Sequence, residues 1–409
     1  MKSVCILLQN SYEIDLRVRR KAEALVSAGY HVDVLALRSS YSKARNYSLR
    51  GVNVYTLSLG RKRGSLARYA VEYLTFFLWA LCKLSSLMEK RHYVVVDVNN
   101  LPDFLVFAGA YAKWRGARIV FDMHEIAPEF YASKYSAREN SIPVRVLRYL
   151  ERMSLNFADR VVTINEPIQN LLVNRGLPKW KSTIIMNSVD EAFFTRWLDE
   201  SASSPVSLSP HDFVMMYHGT LTHLYGLDIA LEAFGMVHHQ MRGAQFWILG
   251  EGPAKASLER LAGQLGLSSK VRFLGAVLPD EIPRWLKQCD TGVLATRQDA
   301  FLDLSFSGKL SEYIIMKRAV ICARLKTIRH YFSEEALAFF EPNNPSDLAQ
   351  QMLRMAADTN LRSRLAEQAR REYVPIRWEV MKDRYLNLIE EVTGHRAAEA
   401  RDGHTCSPV

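Results

Sequence analysis

The stretch FVMMYHGTLTHLYGLDIALEAF (213–234) reads as one complete structural unit. Its opening apolar run has no polar alternation, which is what a strand covered on both faces requires. Gly219 and Gly226 punctuate a turn, and LDIALEAF resumes with helical spacing. The same alternation recurs in both directions. Downstream, strands are expected at AQFWILG (244–250), VRFLG (271–275), TGVLAT (291–296), AVICA (319–323) and LAFFE (337–341). Upstream, they are expected at VCILLQ (4–9), HVDVLAL (31–37), NVYTL (53–57), YVVVDV (93–98), ARIVFDM (117–123), RVVTI (160–164) and STIIM (182–186). The first crossover helix is expected to start after Asp15, a capping residue, and to stop at Gly29. Two such series imply an α/β protein of two Rossmann-like, doubly wound domains.

The Ser- and Pro-rich segment LDESASSPVSLSPHD (198–212) lacks periodicity and reads as a linker. It separates an N-terminal domain over 1–197 from a C-terminal domain over 213–375. The polar tail 394–409 is expected to be flexible.

Across 409 residues, 48% are apolar and 23% charged, so a disordered, collagen-like or disulfide-built chain is excluded. The five cysteines are scattered with no Cys-x-x-Cys pair, which points to a reducing compartment and away from structural zinc. MKSVCILLQN runs straight into an apolar strand, unlike a signal peptide. The net charge of +10 is lopsided: residues 1–200 hold 29 Lys+Arg against 19 Asp+Glu, and the remainder balances to zero. An acidic partner should therefore meet the N-terminal half. No DNA or RNA motif accompanies these charges, so an anionic membrane is favoured over nucleic acid. YAVEYLTFFLWALCKLSSLM (69–88) is apolar nearly all round and follows Arg61, Lys62, Arg63 and Arg68. It reads either as a buried crossover helix or as an interfacial helix touching lipid; Glu72 and Lys83 speak against a transmembrane span.

Several catalytic signatures are missing: no G-x-G-x-x-G after a strand, no phosphate loop of the G-x-x-x-x-G-K-[ST] type, no H-E-x-x-H and no Asp-x-Asp. What is present follows strands, where open α/β sheets bind ligands. Gly219 leaves the first C-domain strand, and Gly250-Glu251-Gly252 leaves the second. Glycine there lets backbone amides approach a phosphate. In FSGKLSEYIIMKRAVI (306–321), Ser307 and Gly308 open a helix whose free N–H groups favour an anion. Lys309 and Glu312, three apart, share a face near that end: a Lys suits a diphosphate and a carboxylate suits ribose hydroxyls. Read alone, the pair fits a surface ion pair equally well. Likewise, His124 at the end of ARIVFDM would more often be a structural histidine, and Asp15 a simple cap.

Taken in order, these segments resemble the retaining glycosyltransferases of family 4, with the GT-B fold. The resemblance runs from about residue 4 to 392. Its pieces are SYEIDLRVRRKAEALVSAGYHVDVL (11–35), FDMHE (121–125), MNSVDEAFF (186–194), HGTLTHLYGLDIALEAF (218–234), LGEGP (249–253), VRFLGAVLPDEIPRWLKQCDTGVLAT (271–296) and FSGKLSEYIIMKRAVI. The resemblance implies a C-domain that holds a UDP-, GDP- or ADP-sugar, an N-domain that holds the acceptor, and a closing helix over 376–393 that crosses back onto the N-domain. It implies donor binding by Gly219, Gly250, Glu251, Gly252, Arg297, Ser307, Gly308, Lys309 and Glu312. It implies that His124, matching a family histidine that faces the donor sugar, and Lys309 are the catalytic residues. Asn10, Asp15 and Arg17 are acceptor-side candidates. Two positions depart from the family: Leu304 stands where its first donor-loop glutamate is common, with Asp303 beside it, and GTLTHLYG carries Thr220 and Tyr225 near the usual Arg and Lys.

The expected activity is thus metal-independent, retaining sugar transfer to a glycan or lipid-linked acceptor, in bacterial cell-surface polysaccharide or glycolipid synthesis. The expected location is the cytoplasm, peripheral at the inner face of the membrane. Two rivals keep the architecture: a nucleotide-sugar epimerase and a non-catalytic nucleotide-sugar-binding partner.

Overall fold

The computed structural model describes residues 2–39, 44–59, 66–135, 137–199 and 212–394. The chain divides into two compact units, residues 1–186 with 379–409, and residues 187–378.

The first unit is built on an eight-stranded sheet: β1 (Ser3–Ser11), β2 (His31–Leu37), β3 (Asn46–Leu49), β4 (Val52–Leu57), β5 (Tyr93–Asn99), β6 (Arg118–Met123), β7 (Arg160–Thr163) and β8 (Ser182–Ile184), in the order β3-β4-β2-β1-β5-β6-β7-β8. All neighbours are parallel except β3 and β4. Val4, Ile6, Leu7, Val34, Val95, Val96 and Ile119 are fully buried, as near-continuous apolar strands demand. The strand order reverses between β1 and β5, the place where open α/β sheets bind ligands.

The second unit holds a six-stranded parallel sheet: β9 (Phe213–His218), β10 (Ala244–Leu249), β11 (Val271–Gly275), β12 (Thr291–Leu294), β13 (Ala319–Ala323) and β14 (Ala338–Phe340), in the order β11-β10-β9-β12-β13-β14. Its reversal lies between β9 and β12.

Every strand expected from sequence is present. β3 is the addition: a short polar edge strand, NYSL, turned back onto β4 at Arg50-Gly51, where both residues have positive φ. The Leu16–Ser27 helix starts as expected, Asp15 accepting a hydrogen bond from the Val18 N–H. The domain division differs from the expected 197/198. The Glu191–Asp199 helix packs on the Ile282–Gln288 and Gly308–Ile315 helices, and Lys287 donates to the Trp197 carbonyl at 3.0 Å, so these residues belong to the second unit. The linker expected over 198–212 falls mostly, and the tail after 394 wholly, outside the described residues.

The Trp378–Val392 helix runs with the first unit from Glu379 onward. Tyr385 donates to Asp97 at 2.6 Å, the Met186 N–H meets the Met381 sulfur at 3.1 Å, and Glu391 pairs with Arg160. The Leu66–Arg91 helix is a crossover element, burying Phe76, Ala80, Leu84, Leu87 and Met88. It nonetheless leaves Val71, Leu74 and Leu78 exposed, and by length and composition it is apolar enough to cross a membrane. Cys5, Cys82, Cys289 and Cys322 are free thiols.

Candidate active site

In the first unit, the carboxyl ends of β1, β5 and β6 carry Asn10, Asn99 and His124 side by side. The anchor beneath them is Lys21, buried on the inner face of the Leu16–Ser27 helix. Its ammonium donates to Asn99 Oδ1 at 2.9 Å, to Asp97 Oδ2 at 3.1 Å and to Asp122. Burial works to strip the proton from Lys21, but the two carboxylates win and hold its pKa above the ordinary value. Burial and the neighbouring Asp122 raise the Asp97 carboxyl, against the pull of Lys21.

This anchor orients His124. The Asn99 amide nitrogen donates to the Leu7 carbonyl at 3.3 Å and to Asp97 at 3.2 Å. Its oxygen therefore faces Lys21 and His124, and accepts from His124 Nε2 at 2.9 Å. The proton accordingly sits on Nε2. Nδ1 is buried with no hydrogen-bond partner among the described residues. Burial, then the charges of Arg17 and Lys21, push the His124 pKa well below its ordinary value. The imidazole is thus a neutral hydrogen-bond acceptor at physiological pH rather than a proton donor. Asn100 fixes the loop, its oxygen accepting from the His124 N–H at 2.8 Å and the Glu125 N–H at 3.2 Å.

Because the folded pKa of His124 is depressed, only the unfolded chain takes up this proton as the pH falls below about 6.5, so stability is lost on acidification through that value. The slope is about 1.4 kcal/mol per pH unit for one such group. His124→Gln is expected to flatten the stability curve between pH 6.5 and 5, read by urea denaturation across that range; an unchanged slope would deny the neutral imidazole.

The acceptor-side candidates engage one another. Asn10 donates to Asp15 at 3.2 Å, and Arg17 pairs with Asp15 at 3.3 Å. Burial alone would raise the Asp15 carboxyl, but Arg17 and the Val18 N–H hold it below its ordinary value. Asp15 is therefore both a helix cap and an orienting partner for Arg17, which keeps part of its surface exposed.

In the second unit, the loops after β9 and β10 press backbone to backbone. Gly250 has φ +143°, and a Cβ there would lie 1.9 Å from the Gly219 carbonyl oxygen; at Gly252 a Cβ would lie 2.2 Å from that of Leu221. A Cβ on Gly219 would fall 2.3 Å from Lys309 Cε. Only glycine fits, so bare backbone faces the Lys309 side chain at this point. Ser307 occupies the N-cap position of the Gly308–Ile315 helix without capping it through its side chain.

Lys309 is half-buried, its ammonium 4.2 Å from the Tyr225 ring centroid and 5.6 Å from that of Tyr217. Burial lowers its pKa, with Glu312 opposing. Glu312 Oε2 accepts from His218 Nε2 at 2.6 Å, and Tyr313, which contacts the other His218 nitrogen at 3.1 Å, donates to the Met216 carbonyl at 2.7 Å. A charged, desolvated Lys beside bare backbone and a helix start suits a polyanion; a fixed carboxylate beside it suits hydroxyl donors.

The structure thus gathers Gly219, Gly250, Gly252, Ser307, Gly308, Lys309 and Glu312. Two sequence candidates lie otherwise. Glu251 points outward to Lys255, 2.6 Å away. Arg297 is engaged by Asp228 and by the His223 carbonyl at 3.2 Å, clasping two loops together. Asp303 accepts from Gln298 at 3.0 Å and the Lys326 N–H at 3.2 Å, and Leu304 is buried. Among the described residues no group of three or more His, Cys, Asp or Glu is placed to hold a metal ion.

Sequence reading missed Lys21, Asp97, Asp122, Asn99, Tyr385 and His218. A signal existed for three of them: Lys21 falls on the apolar stripe of its helix, and Asp97 and Asp122 interrupt strands that are otherwise apolar. A charge in such a place needs a buried partner.

Comparison with known proteins bears on both units. A profile described as glycosyl transferases group 1 matches residues 212–358, and one described as glycosyl transferase 4-like domain matches residues 14–188. An uncharacterized glycosyltransferase, MJ1607 of Methanocaldococcus jannaschii, is 22% identical over 90% of this chain and 91% of its own. The N,N'-diacetylbacillosaminyl-diphospho-undecaprenol alpha-1,3-N-acetylgalactosaminyltransferase of Campylobacter jejuni is 25% identical over 69% of this chain and 73% of its own. Among solved structures, Anabaena Alr3699/HepE in complex with UDP superposes with a TM-score of 0.70 at 14% identity, covering 96% of this chain and 100% of that one. With both sheets and both halves of the sequence matched, the chain belongs to the group 1, family 4 glycosyltransferases of GT-B fold.

Proposed function

We propose that this glycosyltransferase moves a sugar from a nucleotide-sugar donor to an acceptor hydroxyl with retention of the anomeric configuration and without a metal ion. The observation that carries the reading is the glycine-lined backbone around Lys309, with Glu312 of the same helix held by His218 at the end of β9. In this reading the diphosphate meets Lys309 and the amides near Gly219, Ser307 and Gly308, and Glu312 accepts from the ribose hydroxyls. Arrival of the diphosphate favours the charged form of Lys309, which burial alone opposes. As the leaving group departs, its growing negative charge is met by donors already in place, the arrangement that contributes most in a site shielded from water. His124 offers Nδ1 to a sugar hydroxyl. No side chain is assigned a covalent role.

The acceptor side falls to the first unit, through Asn10, Asp15 and Arg17. A lipid-linked glycan at the inner face of a bacterial membrane, in the making of cell-surface polysaccharide or glycolipid, fits the +10 charge of residues 1–200; the Campylobacter relative bears a diphospho-undecaprenol substrate in its name.

Turnover is expected to survive excess EDTA, because Lys309 and backbone dipoles do the work a divalent ion does elsewhere. Proton NMR of the first product formed from an α-configured donor, with water or lipid extract as acceptor, should show the α-anomer. Loss of turnover on chelation that manganese restores, or a first-formed β-anomer, would contradict the reading. Release of an epimerised free sugar in the absence of acceptor would make the protein an epimerase.

A further inference from the structure

An apolar pocket of about 180 Å³ opens in the first unit beside the His124 loop, lined by Tyr69, Tyr73, Phe104, Phe130, Tyr131 and Leu147 among others. Three helices form it: Leu66–Arg91, Ala127–Tyr135 and Ile142–Phe157. Its floor includes Leu101 and Pro102, which directly follow the Asn99 and Asn100 that hold His124. The Ala127–Tyr135 helix starts three residues after His124. The pocket therefore adjoins the loop that carries His124.

One cation stands in the lining. The Lys134 ammonium lies 5.5 Å from the Phe130 and Tyr135 ring centroids and 5.6 Å from that of Tyr69. It makes no ion pair with a carboxylate among the described residues. The acid of the lining, Asp103, is buried and accepts from Asn100 at 2.9 Å, and Glu125 on the His124 loop feels the Lys134 charge without pairing with it. An apolar cavity with such an ammonium at its edge suits a hydrocarbon chain that ends in a phosphate.

The surroundings extend this chemistry outward. The Leu66–Arg91 and Ile142–Phe157 helices both pack against the Asp103–Gly109 helix. Right-handed crossovers that step in one direction along the sheet, from β4 to β5 and from β6 to β7, place them on the same side of it. Each turns an apolar stripe away from the sheet. On one it is Val71, Leu74 and Leu78; on the other Ile142, Val146, Tyr149 and Met153, with Ile142 76% and Tyr149 63% exposed. The spacing i, i+4, i+7, i+11 makes the second a continuous line along one helix face. Arg145 and Arg152 flank it, exposed and without a carboxylate partner among the described residues, and the one acid of that helix, Glu151, is buried against Arg175. Exposed apolar stripes bordered by arginine fit a bilayer with anionic headgroups.

We propose that this face seats on an anionic bilayer and that the pocket receives the hydrocarbon of a lipid whose phosphate meets Lys134, so that a lipid-carried acceptor presents its sugar beside His124. That the lipid is the acceptor rests on the transferase reading above; the seating itself does not.

The test uses the full chain and vesicles of phosphatidylcholine with or without phosphatidylglycerol, the latter carrying a small fraction of acyl-chain diazirine probe. After flotation and irradiation, labelled peptides are mapped by mass spectrometry. The wild type is expected to float with anionic vesicles at low salt, to be released at 1 M salt, and to carry label within 66–75 and 127–135. The triple variant Val71→Glu, Leu74→Glu, Tyr149→Glu, altered only at exposed positions, is expected to float at least tenfold less while keeping wild-type nucleotide affinity. Lys134→Gln should cut pocket labelling more than flotation. Equal flotation on neutral vesicles, label confined to other faces, or a dimer that the triple variant disperses would overturn the inference, the last by giving the face to a second copy of the chain. Nucleotide titration of the same samples separates the two readings. Nucleotide binding without lipid labelling removes the lipid site alone; labelling without nucleotide binding removes the transferase reading alone.

Discussion

Lys21→Met is expected to destabilise the first unit by about 3–5 kcal/mol, the usual effect of removing one partner from a buried ion pair. The cause is specific. With the ammonium gone, Asp97 and Asp122 remain buried with no countercharge, and Asn99 loses a donor that helps set its amide. Urea denaturation at pH 7 measures the loss. Lys21→Met combined with Asp97→Asn and Asp122→Asn should recover much of it, since replacing all partners of a buried charge network is far cheaper than orphaning some. A single variant as stable as wild type would mean that the carboxylates are protonated in the folded protein and that Lys21 does not order His124.

Lys309→Ala is expected to weaken donor affinity by about one to two orders of magnitude, because a hydrogen bond to a charged group contributes about 1.5–3 kcal/mol. The side chain makes no ion pair among the described residues and rests on Tyr225 and Tyr217, so its removal should leave the unfolding midpoint of the second unit nearly unchanged. That separation matters: a residue kept for folding would show the reverse pattern, a lowered midpoint with unchanged affinity. Lys309→Arg should recover little, since the Gly219 backbone approaches the side chain too closely for a planar guanidinium to take the same path.

The strands were legible because residues buried on both faces leave an unmistakable record: uninterrupted β-branched and aliphatic runs bounded by glycine. β3 left none. An edge strand of four residues, with Asn46 and Ser48 outward, gains its place from pairing with β4 rather than from its own composition. The Glu191–Asp199 helix was not legible as part of the second unit, because its partners lie about a hundred residues away at 282–288 and 308–315. Among the proposed donor-side residues, local geometry made the grouping of the glycines after β9 and β10 and of Lys309 with Glu312 on one turn legible. The orientations of Arg297 and Glu251 were not legible, for the complementary reason. Their partners Asp228 and Lys255 decide where they point, and a charge gives no sign in sequence of which neighbour it will choose. The Lys21 network is the extreme case: its members come from residues 21, 97, 99, 122 and 385, and only the fold brings them together.

Calorimetric titration of UDP, GDP and ADP, each alone, into the wild type and Glu312→Ala tests the central claim most directly. One of the three nucleotides is expected to bind the wild type, and Glu312→Ala should lose about tenfold in affinity even though no sugar is present, because the carboxylate that His218 holds in place addresses the ribose. Binding of none of the three, or of one with an affinity that Glu312→Ala leaves unchanged, would contradict the account of the second unit as the donor site.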